Sequence, residues 1–124
     1  MAQSQAKSKR APSGKKLKPK GKKQYMLGRK PLLPKIEKLK MKKVRTMGGN
    51  FKSKLLNSDV INAIDPKTKK AVKVVLKTVA DNTANKNFIR RNILTKGAII
   101  ETDKGKVKIT NRPGQEGTIN GVFV

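Results

Sequence analysis

The chain has no cysteine, no histidine and no tryptophan, and only seven of its 124 residues are acidic. Without cysteine there is no disulfide framework, thiol nucleophile or zinc ribbon, and without histidine there is no imidazole base. Seven carboxylates scattered along the chain do not read as a paired acid–base site. The sequence therefore calls for no enzyme activity, no metal, no cofactor and no small-molecule substrate. No apolar run approaches the roughly 20 residues that span a bilayer. The polar N-terminus lacks the apolar middle of a secretory signal. A soluble, intracellular, cytoplasmic protein is expected.

What is present is positive charge. Lys and Arg number 32, and the net charge is +25. Self-repulsion on that scale opposes compaction, so the natural reading is a polyanionic partner. Nucleic acid is the first candidate and an anionic membrane the second. The membrane reading fails for want of a strong amphipathic face.

The charge divides the chain. Residues 1–50 carry 17 basic and one acidic side chain, whereas residues 51–124 carry 15 basic and six acidic. Residues 1–40 are punctuated by Pro12, Pro19, Pro31, Pro34, Gly14, Gly21 and Gly28. Such composition buries too little apolar surface to offset chain entropy, so a basic arm, disordered when free, is expected over 1–40. It reads as a solvating or import segment, or as an arm that folds onto phosphate. Residues 34–44 suit either a weak amphipathic helix or an extended approach to a first strand. The brief spacing and missing cap favour the latter.

From residue 41 onward the pattern is that of strands. Residues 71–80 are rich in β-branched side chains, and 97–110 read as a hairpin turning at Asp103-Lys104-Gly105. Residues 65–70 and 111–117 have turn chemistry, and 118–124 close as a last strand. The expected body, 41–124, is mainly β: about six short antiparallel strands forming a small barrel without free edges. The long irregular connection is 81–92, with four asparagines and Arg90 beside Arg91. Loops of that length are often functional.

Only six of the basic residues are arginine: Arg10, Arg29, Arg45, Arg90, Arg91 and Arg112. Arginine adds a planar fork that grips phosphate and stacks on bases, so these are the better candidates for geometric contacts. Four stretches join basic residues to glycine or asparagine: KKQYMLGRK, VRTMGGNFK, NFIRRNILTKG and TNRPGQEG. Glycine lets phosphate approach a peptide N–H, and asparagine bonds to base, sugar or phosphate. Tyr25 is the only tyrosine, and the scarcity of aromatics favours reading of backbone shape over unpaired bases.

Taken in order, these stretches resemble one family, the small-subunit ribosomal protein eight of the archaeal and eukaryotic type. The resembling elements are Arg10-Ala11-Pro12-Ser13-Gly14, Tyr25-Met26-Leu27-Gly28-Arg29, Arg45-Thr46-Met47-Gly48-Gly49-Asn50, Arg90-Arg91-Asn92-Ile93, Thr95-Lys96-Gly97-Ala98 and Arg112-Pro113-Gly114-Gln115. They cover nearly the whole chain, in a short archaeal-like form. Met26 stands where the family has Glu, and Met47 where it has Arg.

The resemblance implies a barrel-like body with a basic arm, a monomer bound to small-subunit ribosomal RNA beside neighbouring ribosomal proteins. The RNA-binding residues expected in the arm are Arg10, Lys15, Lys16, Lys18, Lys20, Lys22, Lys23, Tyr25, Arg29 and Lys30. In the body they are Arg45, Gly48, Gly49, Asn50, Lys52, Lys54, Arg90, Arg91, Asn92, Lys96, Arg112 and Gly114. The Gly48-Gly49 pair brings backbone close to phosphate, or else forms a bulge that bends the barrel. A DNA-architectural or chromatin-like protein is the alternative function, although no recognition-helix or wedge pattern supports it.

Overall fold

Stretches that alternate β-branched and polar residues become strands, and five of these close into a barrel. The computed structural model describes Gly28 and residues 30–124. Within that span Leu32–Val124 forms one compact unit. Its barrel strands are β4 (Val60–Ile64), β5 (Ala71–Asp81), β6 (Ile99–Thr102), β7 (Gly105–Ile109) and β8 (Asn120–Phe123). Successive barrel strands reverse direction, and an odd number of them closes with one parallel seam, β4 against β8. Asn62 donates across that seam to Asn120 at 3.2 Å.

Alternation sets the core. Ile61 and Ala63, Val74 and Leu76, Ile100, Val107 and Ile109, and Ile119 point inward and are buried. In β5 the inward set switches from Val74 and Leu76 to Val79. The pairing register with β6 shifts between Leu76 and Thr78, and a bulge of this kind exchanges the two faces of a strand. Eleven residues of β5 thus serve two neighbours while the strand bends.

The barrel has five strands where about six were expected. The remaining strands form a second sheet in the order β1 (Lys35–Ile36), β3 (Phe51–Ser58), β2 (Lys40–Arg45). The extended reading of 34–44 holds, with β1, a bend and β2 in place of a helix. Residues 32–36 are part of the compact unit. Pro34 is buried, its carbonyl accepts the Leu94 N–H at 2.8 Å, and Lys35 bridges to Ile93. The arm expected over 1–40 otherwise lies mostly outside the described residues.

Two connections carry single helical turns, α1 (Asn87–Arg90) and α2 (Pro113–Glu116). The β5–β6 connection is pinned by Asn82, a buried amide. Its Nδ2 donates to the Thr95 hydroxyl at 2.9 Å, and its Oδ1 accepts the Ala84 N–H at 3.0 Å. Leu94 and Ala98 of this connection, with Leu55 of β3, complete the core.

Candidate nucleic-acid interface

The stretch from residue 38 to 58 holds seven basic and no acidic side chains. It folds into a two-stranded ribbon, β2 against β3, that leaves the barrel. Pairing runs from Met41 opposite Leu55 to Arg45 opposite Phe51. Only the base is covered: Leu55 is fully buried, while residues 40–43 and 51–53 are exposed.

Directly paired residues share a face. One face carries Met41, Lys43 and Arg45 opposite Leu55, Ser53 and Phe51. The other carries Lys42 and Val44 opposite Lys54 and Lys52. A lysine directly opposite a lysine destabilises a free ribbon. A polyanion laid along that face converts the repulsion into attraction, which is the electrostatic case for a polyanionic partner on this surface.

Gly48 and Gly49 are the turn of this hairpin, with φ of 77° and 78°. Two successive left-handed residues are what a tight hairpin turn requires, and glycine adopts that conformation without steric cost. The Asn50 carbonyl accepts both the Thr46 N–H at 2.7 Å and the Thr46 hydroxyl at 3.0 Å, closing the loop. The bulge reading does not hold, because the pair lies in a turn outside the barrel. A Cβ added at Gly49 would meet nothing within 4 Å, so the space beside it is open. Met47 is 95% exposed at the tip, and an arginine there would reach the same space.

A valine at Gly49 is therefore strained but does not clash. A left-handed non-glycine residue costs about 1–2 kcal/mol, and the tip is remote from the core. The Gly49→Val variant is expected to keep its fold, lose at most a few degrees of thermal midpoint, and lose more RNA affinity than that explains. A melting curve and a binding isotherm on the same sample check this. Outright unfolding would make the tip a support of the barrel.

The other body candidates gather at the barrel end from which the ribbon emerges. Arg112 is exposed and precedes α2, whose Pro113 is buried. After α2, Gly117 has φ 78°, and a Cβ there would lie 2.9 Å from Ser53 Cβ and 3.6 Å from Met41 Sδ. This close approach seats α2 on the ribbon base. Gly114 has room for a Cβ at 3.5 Å from Leu32 Cβ, so the fold does not demand glycine there. Lys30 is exposed two residues before Leu32. Lys96 is exposed in the β5–β6 connection, and Lys54 is half-buried on the lysine face of the ribbon.

Arg90 ends α1 and Arg91 follows it, both exposed and without an acidic partner among the described residues. The one ion pair there is Lys77–Asp103, on the solvent side of the barrel. Asn92 has φ 48°, and its Oδ1 accepts the Val79 N–H at 3.3 Å. Its side-chain oxygen thus helps anchor the loop that carries the arginines. Changing Arg90 and Arg91 together to Lys keeps the charge and removes the forks. Binding to small-subunit rRNA is expected to weaken and lose selectivity at constant salt, with the melting curve unchanged. Equal affinity would reduce both arginines to plain charge.

Arg10, Lys15, Lys16, Lys18, Lys20, Lys22, Lys23, Tyr25 and Arg29 lie outside the described residues. Sequence reasoning overlooked Lys42, Lys43 and Phe51. Phe51 is 70% exposed and directly opposite Arg45. Together they offer a ring and a guanidinium plane on one face, a pair suited to stacking on a base. The signal for the two lysines was their place in the basic run Lys40-Met41-Lys42-Lys43-Val44-Arg45 just before the glycine pair.

The match to known proteins follows this architecture along its length. The family model for ribosomal protein S8e matches residues 4–124. This chain belongs to the S8e family of ribosomal proteins. A small ribosomal subunit protein eS8 of Methanobrevibacter smithii is 46% identical over 125 residues, covering all of both chains. One from Methanosarcina barkeri is 47% identical, over 90% of this chain and 89% of its own. Another, from Methanocella arvoryzae, is 47% identical over 97% of each. The S8e match includes the ribbon, the Arg90–Asn92 segment and α2.

Proposed function

We propose that this protein is a structural, non-catalytic constituent of the small ribosomal subunit that binds and stabilises small-subunit rRNA. The observation that carries the reading is the β2–β3 ribbon, a surface of one charge sign with a lysine pair set face to face. Family membership supports the ribosomal setting, since the relatives are small ribosomal subunit proteins by name. In this reading the ribbon, Arg112 and Arg90-Arg91 neutralise phosphates from one end of the barrel. Lys30 and the basic residues before it add further phosphate contacts along the arm. The partners are small-subunit rRNA and adjacent ribosomal proteins, and the protein acts as a monomer within the cytoplasmic ribosome.

Duplex DNA is the competing polyanion. A-form RNA presents a wide, shallow minor groove with 2′-hydroxyls, recognised by shape and by phosphate contacts. A ribbon of exposed lysines with an arginine–aromatic pair at its tip suits such a surface together with an unpaired base. Footprinting of small-subunit rRNA in the presence of excess duplex DNA tests the proposal. Discrete rRNA protection that the DNA does not erase is expected. Protection lost in proportion to added DNA would favour the DNA-architectural alternative.

A further inference from the structure

The end of the barrel away from the ribbon carries a second basic feature. A cleft of about 580 Å³ opens between the β4–β5 turn, with Lys67 and Lys70, and the β6–β7 hairpin, with Lys104 in its turn and Lys106 on β7. Val72 and Phe123 also line it, and both pack against the core. The single acidic side chain in the cleft, Asp65, is already engaged by its own turn. Its Oδ1 accepts the Lys67 N–H at 3.0 Å, and its Oδ2 accepts the Thr68 hydroxyl at 2.9 Å. The Lys67 N–H first, and then the Thr68 hydroxyl, hold this carboxyl below its ordinary pKa. None of the four lysines has an acidic side-chain partner among the described residues.

The same turn holds Lys69 at φ 55°, a left-handed conformation that glycine or asparagine adopts at less cost. A charged side chain thus occupies a strained position in which a smaller residue would relax the turn.

We propose that this cleft is a second RNA site. Its lysines take phosphates of a single-stranded or bulged segment, and one base lies against Phe123 and Val72. Lysines alone, with no arginine, suit point-charge neutralisation of phosphate rather than forked recognition of carboxylates. The apolar lining suits the face of a base, and an acidic peptide would leave it unused. The ribbon and the cleft stand at opposite ends of the barrel, because β4 enters from β3 at one end and reaches the Asp65 turn at the other. One chain thereby ties two separate RNA segments together. The inference rests on the rRNA reading above and adds a second point of attachment to it.

Ultraviolet cross-linking of the full chain to small-subunit rRNA, followed by mass spectrometry of the cross-linked peptides, tests it. Cross-links are expected both in the ribbon and around Lys104–Lys106 and Phe123. In the Lys67→Gln/Lys104→Gln variant the far-end cross-links should vanish and the ribbon cross-links persist. The slope of log affinity against log salt should fall by about 1.4, roughly 0.7 for each single-strand phosphate contact removed. Phe123→Leu, which keeps an apolar side chain against the core, should lose the cross-link at that residue with the salt slope unchanged. Ribbon cross-links alone, or a double variant that binds rRNA like the wild type, would overturn the second site and leave the proposed function standing. Absence of cross-links at both ends would overturn both. A double variant that loses polyglutamate binding but not rRNA binding would assign the cleft to an acidic protein segment, and that also overturns the RNA site.

Discussion

Replacing Lys42, Lys43, Arg45 and Lys52 together by glutamine is expected to separate binding from stability, moving the two in opposite directions. All four side chains stand on an exposed ribbon outside the core. Removing them unpacks nothing. It also relieves the repulsion between Lys42 and its directly opposite neighbour Lys54. Like charges facing across strands destabilise, so the thermal midpoint should hold or rise slightly. Binding should respond oppositely. Each phosphate contact contributes about 0.7–0.9 to the slope of log affinity against log salt. Four lost contacts should make that slope shallower by about 3. A salt series of isotherms on wild type and variant, with melting curves alongside, measures both quantities. An unchanged slope would mean that the ribbon charge faces water in the complex.

The second large effect concerns the barrel. Gly121 of β8 sits opposite Ala63 on one side and Ile109 on the other. A Cβ there would lie 2.5 Å from Val107 Cγ1, 2.8 Å from the Lys108 carbonyl oxygen and 3.0 Å from Ile61 Cδ1. A side chain can rotate away, but a carbonyl inside a strand ladder cannot. Overpacking of this kind costs about 1–3 kcal/mol. In a domain of this size each kcal/mol is worth roughly 4–8 °C. Gly121→Ala should therefore lower the thermal midpoint by about 10 °C, and Gly121→Val should fail to fold. Below its midpoint the alanine variant should bind rRNA with the wild-type salt slope, because no interface residue has moved. An unchanged midpoint would mean that β8 stands farther from β7 than these distances require.

The strands were legible wherever a local pattern fixed them. The β6–β7 hairpin, the last strand and the turn at 65–70 follow from alternation and turn residues within a few positions. Closure into a barrel was expected from the need to remove free edges, but which strands form the seam was not legible, because it joins Asn62 to Asn120 across 58 residues. No local pattern records that pairing. In β5 the bulge near Leu76 breaks the alternation that would have announced an inward strand. Phe51 was overlooked for a related reason. An aromatic residue in an alternating strand is expected to face a core, and its exposure follows from the ribbon leaving the barrel. The arginine and glycine motifs of the candidate interface stood out because arginine is scarce among so many lysines. The lysines of the far cleft looked like ordinary solvated turns, since only the fold brings residues 67 and 104 to one opening.

The central claim is that the barrel meets RNA through the ribbon end. A cryo-EM map of the small ribosomal subunit from the same cell tests it most directly. The account predicts the S8e barrel seated with residues 42–54 along an rRNA backbone, the Gly48-Gly49 turn beside a phosphate, and Arg90 and Arg91 facing RNA. A barrel with its ribbon in solvent, or packed wholly against protein, would contradict it.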